Sequence, residues 1–206
     1  MCKKHSFSLL LFLFAMFSTI HISAQKTRGD LHFKDGTVKS GFVKIIGIRD
    51  VKFKNKKKEK ATMYQMVEME KVVIHEFESS ATYVLRQTDK GNYRVLKVLE
   101  LGRVNLYTKE VQGYSAPMMT GGQNMGMTMG YSYNITNLFV QREGEVLVTH
   151  LGTSGTFSKN FRKAASKYFS DCPSLTEKIE NKEYKKRDIR VIVNFYNEEC
   201  ILPESE

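Results

Sequence analysis

The hydrophobic period of this chain changes once, between Leu151 and Thr156, and that change limits what it can fold into. Upstream of it, apolar and polar residues alternate. In VKFK, Val51 and Phe53 fall on one side of an extended chain, and Lys52 and Lys54 fall on the other. Downstream, Phe157, Phe161, Ala164, Ala165 and Tyr168 recur at offsets of four, seven, eight and eleven, the spacing of one helix face. A period of two followed by a period of 3.6 predicts an antiparallel sheet system with helices after it. The fold class is α+β, with a barrel or sandwich-like front and about three C-terminal helices.

The strands are punctuated by turn chemistry. Leu31 and Phe33 precede a turn at Asp35-Gly36, and the chain resumes through Val38, Phe42 and Ile45. ATMYQMVEMEKVVIHEFE reads as strand, short turn and strand, through Val72 and Ile74. TDKGN separates ATYVLRQ from YRVLKVLEL, GRVNLYTKEV follows, and REGE separates YSYNITNLFVQ from EVLVTHL. About eight strands result. Residues 25–151 then form a β-rich domain with a Met/Gly-rich loop at 113–130, and residues 156–206 form a helical segment available to pack on the sheet.

The first residues belong to neither. Lys3 and Lys4 precede the sixteen-residue apolar run FSLLLFLFAMFSTIHI, and Ser23-Ala24-Gln25 offers a small-residue exit. This is the pattern of a secretory signal peptide cleaved near Ala24. The run falls short of the ~20 residues a spanning helix needs, and no second apolar run follows, so no transmembrane helix is expected in the mature chain. Cys2 precedes the apolar run and is not placed to carry a lipid. Removing 24 of 206 residues leaves 182, with 30 basic against 22 acidic residues, or +8. The expected address is exported: periplasm, outer surface or medium.

Export makes the cysteines informative. Cys172 and Cys200 are the two that remain, an even number in an oxidising compartment. Cys172, Leu175 and Ile179 share a stripe on a second helix, which Pro173 can begin and Asp171 or Ser174 can cap. Ile189, Ile192, Val193, Tyr196 and Cys200 share one on a third, which Asp188 can cap. An antiparallel hairpin of these two helices brings Cys172 beside Cys200 as a structural disulfide. A redox or metal pair would call for C-x-x-C or a histidine cluster, and neither is there.

Gly29, Asp35-Gly36-Thr37, Gly41 and Val43 together resemble the opening of a recurring group of exported proteins of the Bacteroidetes type. The ending FSKNFRKAASKYFSDCPSLTEKIENKEYKKRDIRVIVNFYNEEC looks like the C-terminal segment of the same uncharacterised group, and the Ala-Gln exit fits it. The resemblance implies an envelope or secreted address and carries no activity with it.

Three features are candidates for function. Met125, Met127 and Met129 have the M-x-M spacing that converges thioethers on Cu(I) or Ag(I). The surrounding glycines equally describe a loose hairpin tip offering soft contact surface. Lys56, Lys57 and Lys58, with Lys52, Lys54 and Lys60, are suited to phosphate or an acidic glycan, or form a solvated turn. Nucleic acid is not expected, because only Phe53 interleaves the lysines and it faces the buried side. KEYKKRDIR, between helices, reads as solvated.

Enzyme signatures are missing. LGTSGTFSK around Ser154 lacks both G-x-S-x-G and phosphate-loop spacing, and reads as a strand-to-helix connection that Thr156 or Ser158 can cap. His32, His75 and His150 lie far apart. No catalytic residue and no cofactor is expected, and nothing fixes an oligomeric state. The reading is a non-catalytic binding or envelope-associated module, with an envelope protein or anionic polymer as partner. The alternatives are a binder of an anionic envelope polymer or of a soft metal ion, or an enzyme assembled from those histidines and carboxylates.

Overall fold

Alternation becomes sheet because each strand in this chain has one face to bury. The computed structural model describes residues 27–89, 91–116, 119–120, 126–127, 130–153 and 161–200. The segment read as a signal peptide, the Ser154–Ser158 connection, Met125 and Met129 lie outside them. The strands are β1 (Arg28–Phe33), β2 (Val38–Ile46), β3 (Asp50–Lys54), β4 (Thr62–Gln65), β5 (Met69–His75), β6 (Ser80–Asp89), β7 (Asn92–Glu100), β8 (Val104–Ser115), β11 (Tyr131–Arg142) and β12 (Thr149–Thr153). They form one antiparallel ten-stranded sheet in the order β12-β11-β8-β7-β6-β5-β1-β2-β3-β4. The sheet is not closed; β4 and β12 are its edges. Two short strands, β9 (Met119–Thr120) and β10 (Gly126–Met127), pair with each other beyond the β8–β11 hairpin. Helices α1 (Phe161–Tyr168), α2 (Pro173–Glu180) and α3 (Ile189–Glu199) follow, so the fold is α+β and sandwich-like.

The β1–β7 half of the sheet curls. Leu31, Val51, Phe53, Met66, Val72 and Val95 belong to one buried cluster although β3 and β7 are five strands apart in the order. The Arg49 guanidinium, in the β2–β3 turn, lies 5.7 Å from the ring of Tyr93 on β7. In a flat sheet those positions would be about 20 Å apart at ~4.8 Å per strand. The face carrying this cluster is therefore concave, and the opposite face is convex. Met66, in a 3-10 turn between β4 and β5, is fully buried within the curl. The turn at Asp35-Gly36 is the expected one: Gly36 has φ +86°, and Asp35 Oδ1 accepts from the Thr37 N–H at 2.8 Å.

β2 runs through Val38, Phe42 and Ile45 and presents apolar residues to both faces. Val38 and Phe42 point to the convex face, and Val38 is 52% exposed. Val43 and Ile45 point inward. One bulky residue per alternate position decides the face, and Phe42-Val43 supplies two in succession.

The helices cover the other half of the concave side, over β7, β8 and β12. Val104, Leu106, Leu138, Val140 and Leu151 of the sheet pack with Phe161, Phe169, Leu175, Ile179, Ile192 and Tyr196. Cys172 and Cys200 are disulfide-bonded, Cα–Cα 5.7 Å, at the start of α2 and the end of α3. Two arginines fasten this layer. Arg103 donates to the Tyr196, Asn197 and Cys200 carbonyls, where the α3 dipole is negative. Arg142, at the end of β11, donates to the Tyr168 carbonyl at 2.6 Å and to Asp171 Oδ1 at 2.7 Å. Asp171 is thus taken up by Arg142 and Tyr196, and Cys172 occupies the N-cap position of α2.

Candidate functional site

Register shows what composition hides: the convex face is cationic. On β1–β3 the cross-strand row Arg28–Phe42–Lys54 lies beside the row Lys44–Lys52–Met63. Lys44 and Lys52 are directly opposite, an arrangement that costs stability. Arg28 and Lys57 flank the Phe42 ring at 5.8 and 5.9 Å. Following the register through β5 adds Lys71, opposite His32. On β6–β8 the same face carries Arg86 directly opposite Arg94, and then Lys109. Among the described residues, no ion pair joins Arg28, Lys44, Lys52, Lys54, Arg86, Arg94 or Lys109 to a carboxylate. Along strands β1–β8 this face holds three aspartates, Asp30, Asp50 and Asp89, the last opposite Asn92 beyond a bulge in β6.

Asp30 is already engaged. His75 Nε2 lies 2.8 Å from its Oδ2, and His75 Nδ1 lies 3.0 Å from Ser80 Oγ. Serine, histidine and aspartate are thus brought together, but on an exposed strand surface, where they tie β1 to the β5–β6 hairpin. The Ser40 hydroxyl first, and the His75 ring second, hold the Asp30 carboxyl below its ordinary pKa. A depressed folded-state pKa stabilises above the ordinary value of 3.8 and loses that contribution as pH falls through the folded value. The stability difference between wild type and Asp30→Asn is therefore expected to be full at pH 5–7 and to shrink below about pH 4. Thermal melts across pH 2.5–6 check this; a difference that stays constant contradicts it.

Lys56, Lys57 and Lys58 sit in the exposed β3–β4 turn, and of the three Lys57 reaches the Phe42 platform. Met127 lies in β10, paired with Met119, at the far end of the β8–β11 hairpin. His150 packs against the Phe139 ring at 5.0 Å, and His32 lies on β1, so the three histidines are not gathered. Arg28, Lys44, Arg86, Arg94 and Lys109 were not marked by any motif, because their grouping depends on pairing between residues far apart in sequence.

The concave side has a different character. Where the helices end, a groove of about 410 Å³ opens between β2 and β7–β8, with Val43, Ile45, Ile74 and Val95 around it. Glu76, Tyr83, Lys97 and Glu110 line it too. Burial first, and then the Glu76 and Glu110 carboxylates, raise the pKa of the Tyr83 hydroxyl. Lys44 and Lys109 also border it, so its charged groups are of both signs.

The chain matches no protein-family model, and no curated protein and no solved structure matches it.

Proposed function

We propose that the protein is an exported, non-catalytic binding module that holds an anionic polysaccharide of the cell envelope on the convex face of its sheet. The observation that carries this reading is the pair Lys44–Lys52, directly opposed in register and without an ion-paired carboxylate among the described residues. Like charges in that position destabilise a strand pair, so an external anion is the group that relieves them. The signal-peptide pattern supports an envelope address, and the Cys172–Cys200 disulfide suits an oxidising compartment. Acidic glycan fits better than nucleic acid. Phe53 is buried, and Phe42 is flanked by Arg28 and Lys57 and so is not open for base stacking.

The test uses dextran sulfate, with neutral dextran as control. Each cation at an anionic surface is worth about 1 kcal/mol, so Lys44→Glu/Lys52→Glu/Lys54→Glu is expected to weaken binding about 100-fold. Lys44→Glu alone places opposite charges across the strand pair. It is expected to raise stability by about 0.2–1 kcal/mol while weakening binding. Unchanged affinity in the triple variant, or equal binding to neutral dextran, overturns the reading.

A further inference from the structure

Polyanion binding at Lys44–Lys52 leaves a second group of cations on the same face unexplained. Arg86 and Arg94 are directly opposite on β6 and β7, and Lys109 follows on β8. Arg86 is held in place: its Nε donates to the Tyr107 hydroxyl at 3.2 Å, its Nη1 donates to the Leu85 carbonyl at 3.0 Å, and its guanidinium lies 5.4 Å from the Tyr107 ring. Tyr107 is fully buried and its hydroxyl donates in turn to Gln141, so the arginine rests on a fixed support. Lys109 is half-buried, and burial first, then the Arg94 guanidinium, lower its pKa. Three like charges, one partly withdrawn from water and one oriented in advance, form a site that gains when an anion arrives.

Resting on the reading above, we propose that Arg86, Arg94 and Lys109 form a second anion site, and that one anionic polysaccharide chain spans it and the Lys44–Lys52–Lys54 site. In the strand order β2, β1, β5 and β6 lie between β3 and β7, and Lys71 on β5 stands between the two groups. A chain long enough to occupy both sites binds the second one intramolecularly. That raises affinity about 100-fold over a fragment confined to one.

The experiment compares a sulfated octasaccharide with a sulfated disaccharide on the full chain, by titration calorimetry. Wild type is expected to prefer the octasaccharide about 100-fold. Arg94→Gln/Lys109→Gln is expected to cut that preference at least tenfold, and Arg94→Gln alone, at an exposed position, to cut it about threefold with unchanged thermal stability. An octasaccharide preference retained in both variants overturns the second site. If the Lys44→Glu/Lys52→Glu/Lys54→Glu variant lowers octasaccharide affinity in that same case, the first site stands and only the second fails. If the octasaccharide does not bind, or binds equally to all variants, both fail.

Discussion

Replacing Cys172 and Cys200 by serine is expected to lower stability by about 3–4 kcal/mol. The bridge closes a loop with a sequence separation of 28, and chain entropy in the unfolded state sets the scale of the effect. Both cysteines are also buried in the helix layer, 4% and 5% exposed, so the serine hydroxyls enter an apolar cluster containing Leu175, Ile179 and Ile192. The loss should be read as a shift in the urea midpoint with little change in slope, and should match that of the reduced wild type. A cost below about 1 kcal/mol would mean that helix packing alone fixes the α2–α3 hairpin.

Arg142→Met is expected to cost about 3 kcal/mol, more than any single surface charge. Its guanidinium joins the end of β11 to α1, to the α1–α2 connection and to α3 at once. It donates to the Tyr168 carbonyl, to Asp171 and, through Nε at 3.3 Å, to the Tyr196 hydroxyl. It also lies 4.5 Å from the Tyr168 ring and 5.6 Å from that of Tyr196. Methionine keeps much of the apolar stem but leaves Asp171 with the Tyr196 hydroxyl alone. Charge-assisted hydrogen bonds are worth about 1.5–3 kcal/mol each and do not add, and the side chain is 31% exposed, which holds the total down. Asp171→Asn, which keeps an acceptor for both partners, should cost less. Equal costs for the two variants in urea unfolding would place the effect in Asp171 and not in the arginine hub.

The helices were legible because 3.6-residue spacing is a local property: Leu175 and Ile179, or Ile192 and Tyr196, identify their own face. The cysteine pair followed from that spacing, and the Asp35-Gly36 turn from a dipeptide. Strands β5 and β6 were legible from alternation in the same way. β12 begins later than EVLVTHL suggests, at Thr149, because the Val148 N–H donates to the Gln87 carbonyl and draws the preceding residues across the sheet. The binding face was legible strand by strand but not as a whole. Alternation places Lys52 and Lys54 on a solvent side; it does not place Lys44 opposite Lys52 or Arg86 opposite Arg94. Those pairings are set by which strands adjoin, and β1 sits between β2 and β5 only once the whole meander has folded. The dense run at Lys56–Lys58 drew notice for its composition, while the more ordered cations were spread over seven strands.

The salt dependence of dextran sulfate binding tests the central claim most directly. Ion release from a polyanion makes affinity fall steeply with salt, in proportion to the number of cations engaged. For wild type, raising salt from 50 to 200 mM should weaken binding well over tenfold, and the Lys44→Glu/Lys52→Glu/Lys54→Glu variant should show a markedly shallower slope. Affinity that is flat across this range, or a slope identical in the two proteins, would contradict an anionic polysaccharide held by the convex face.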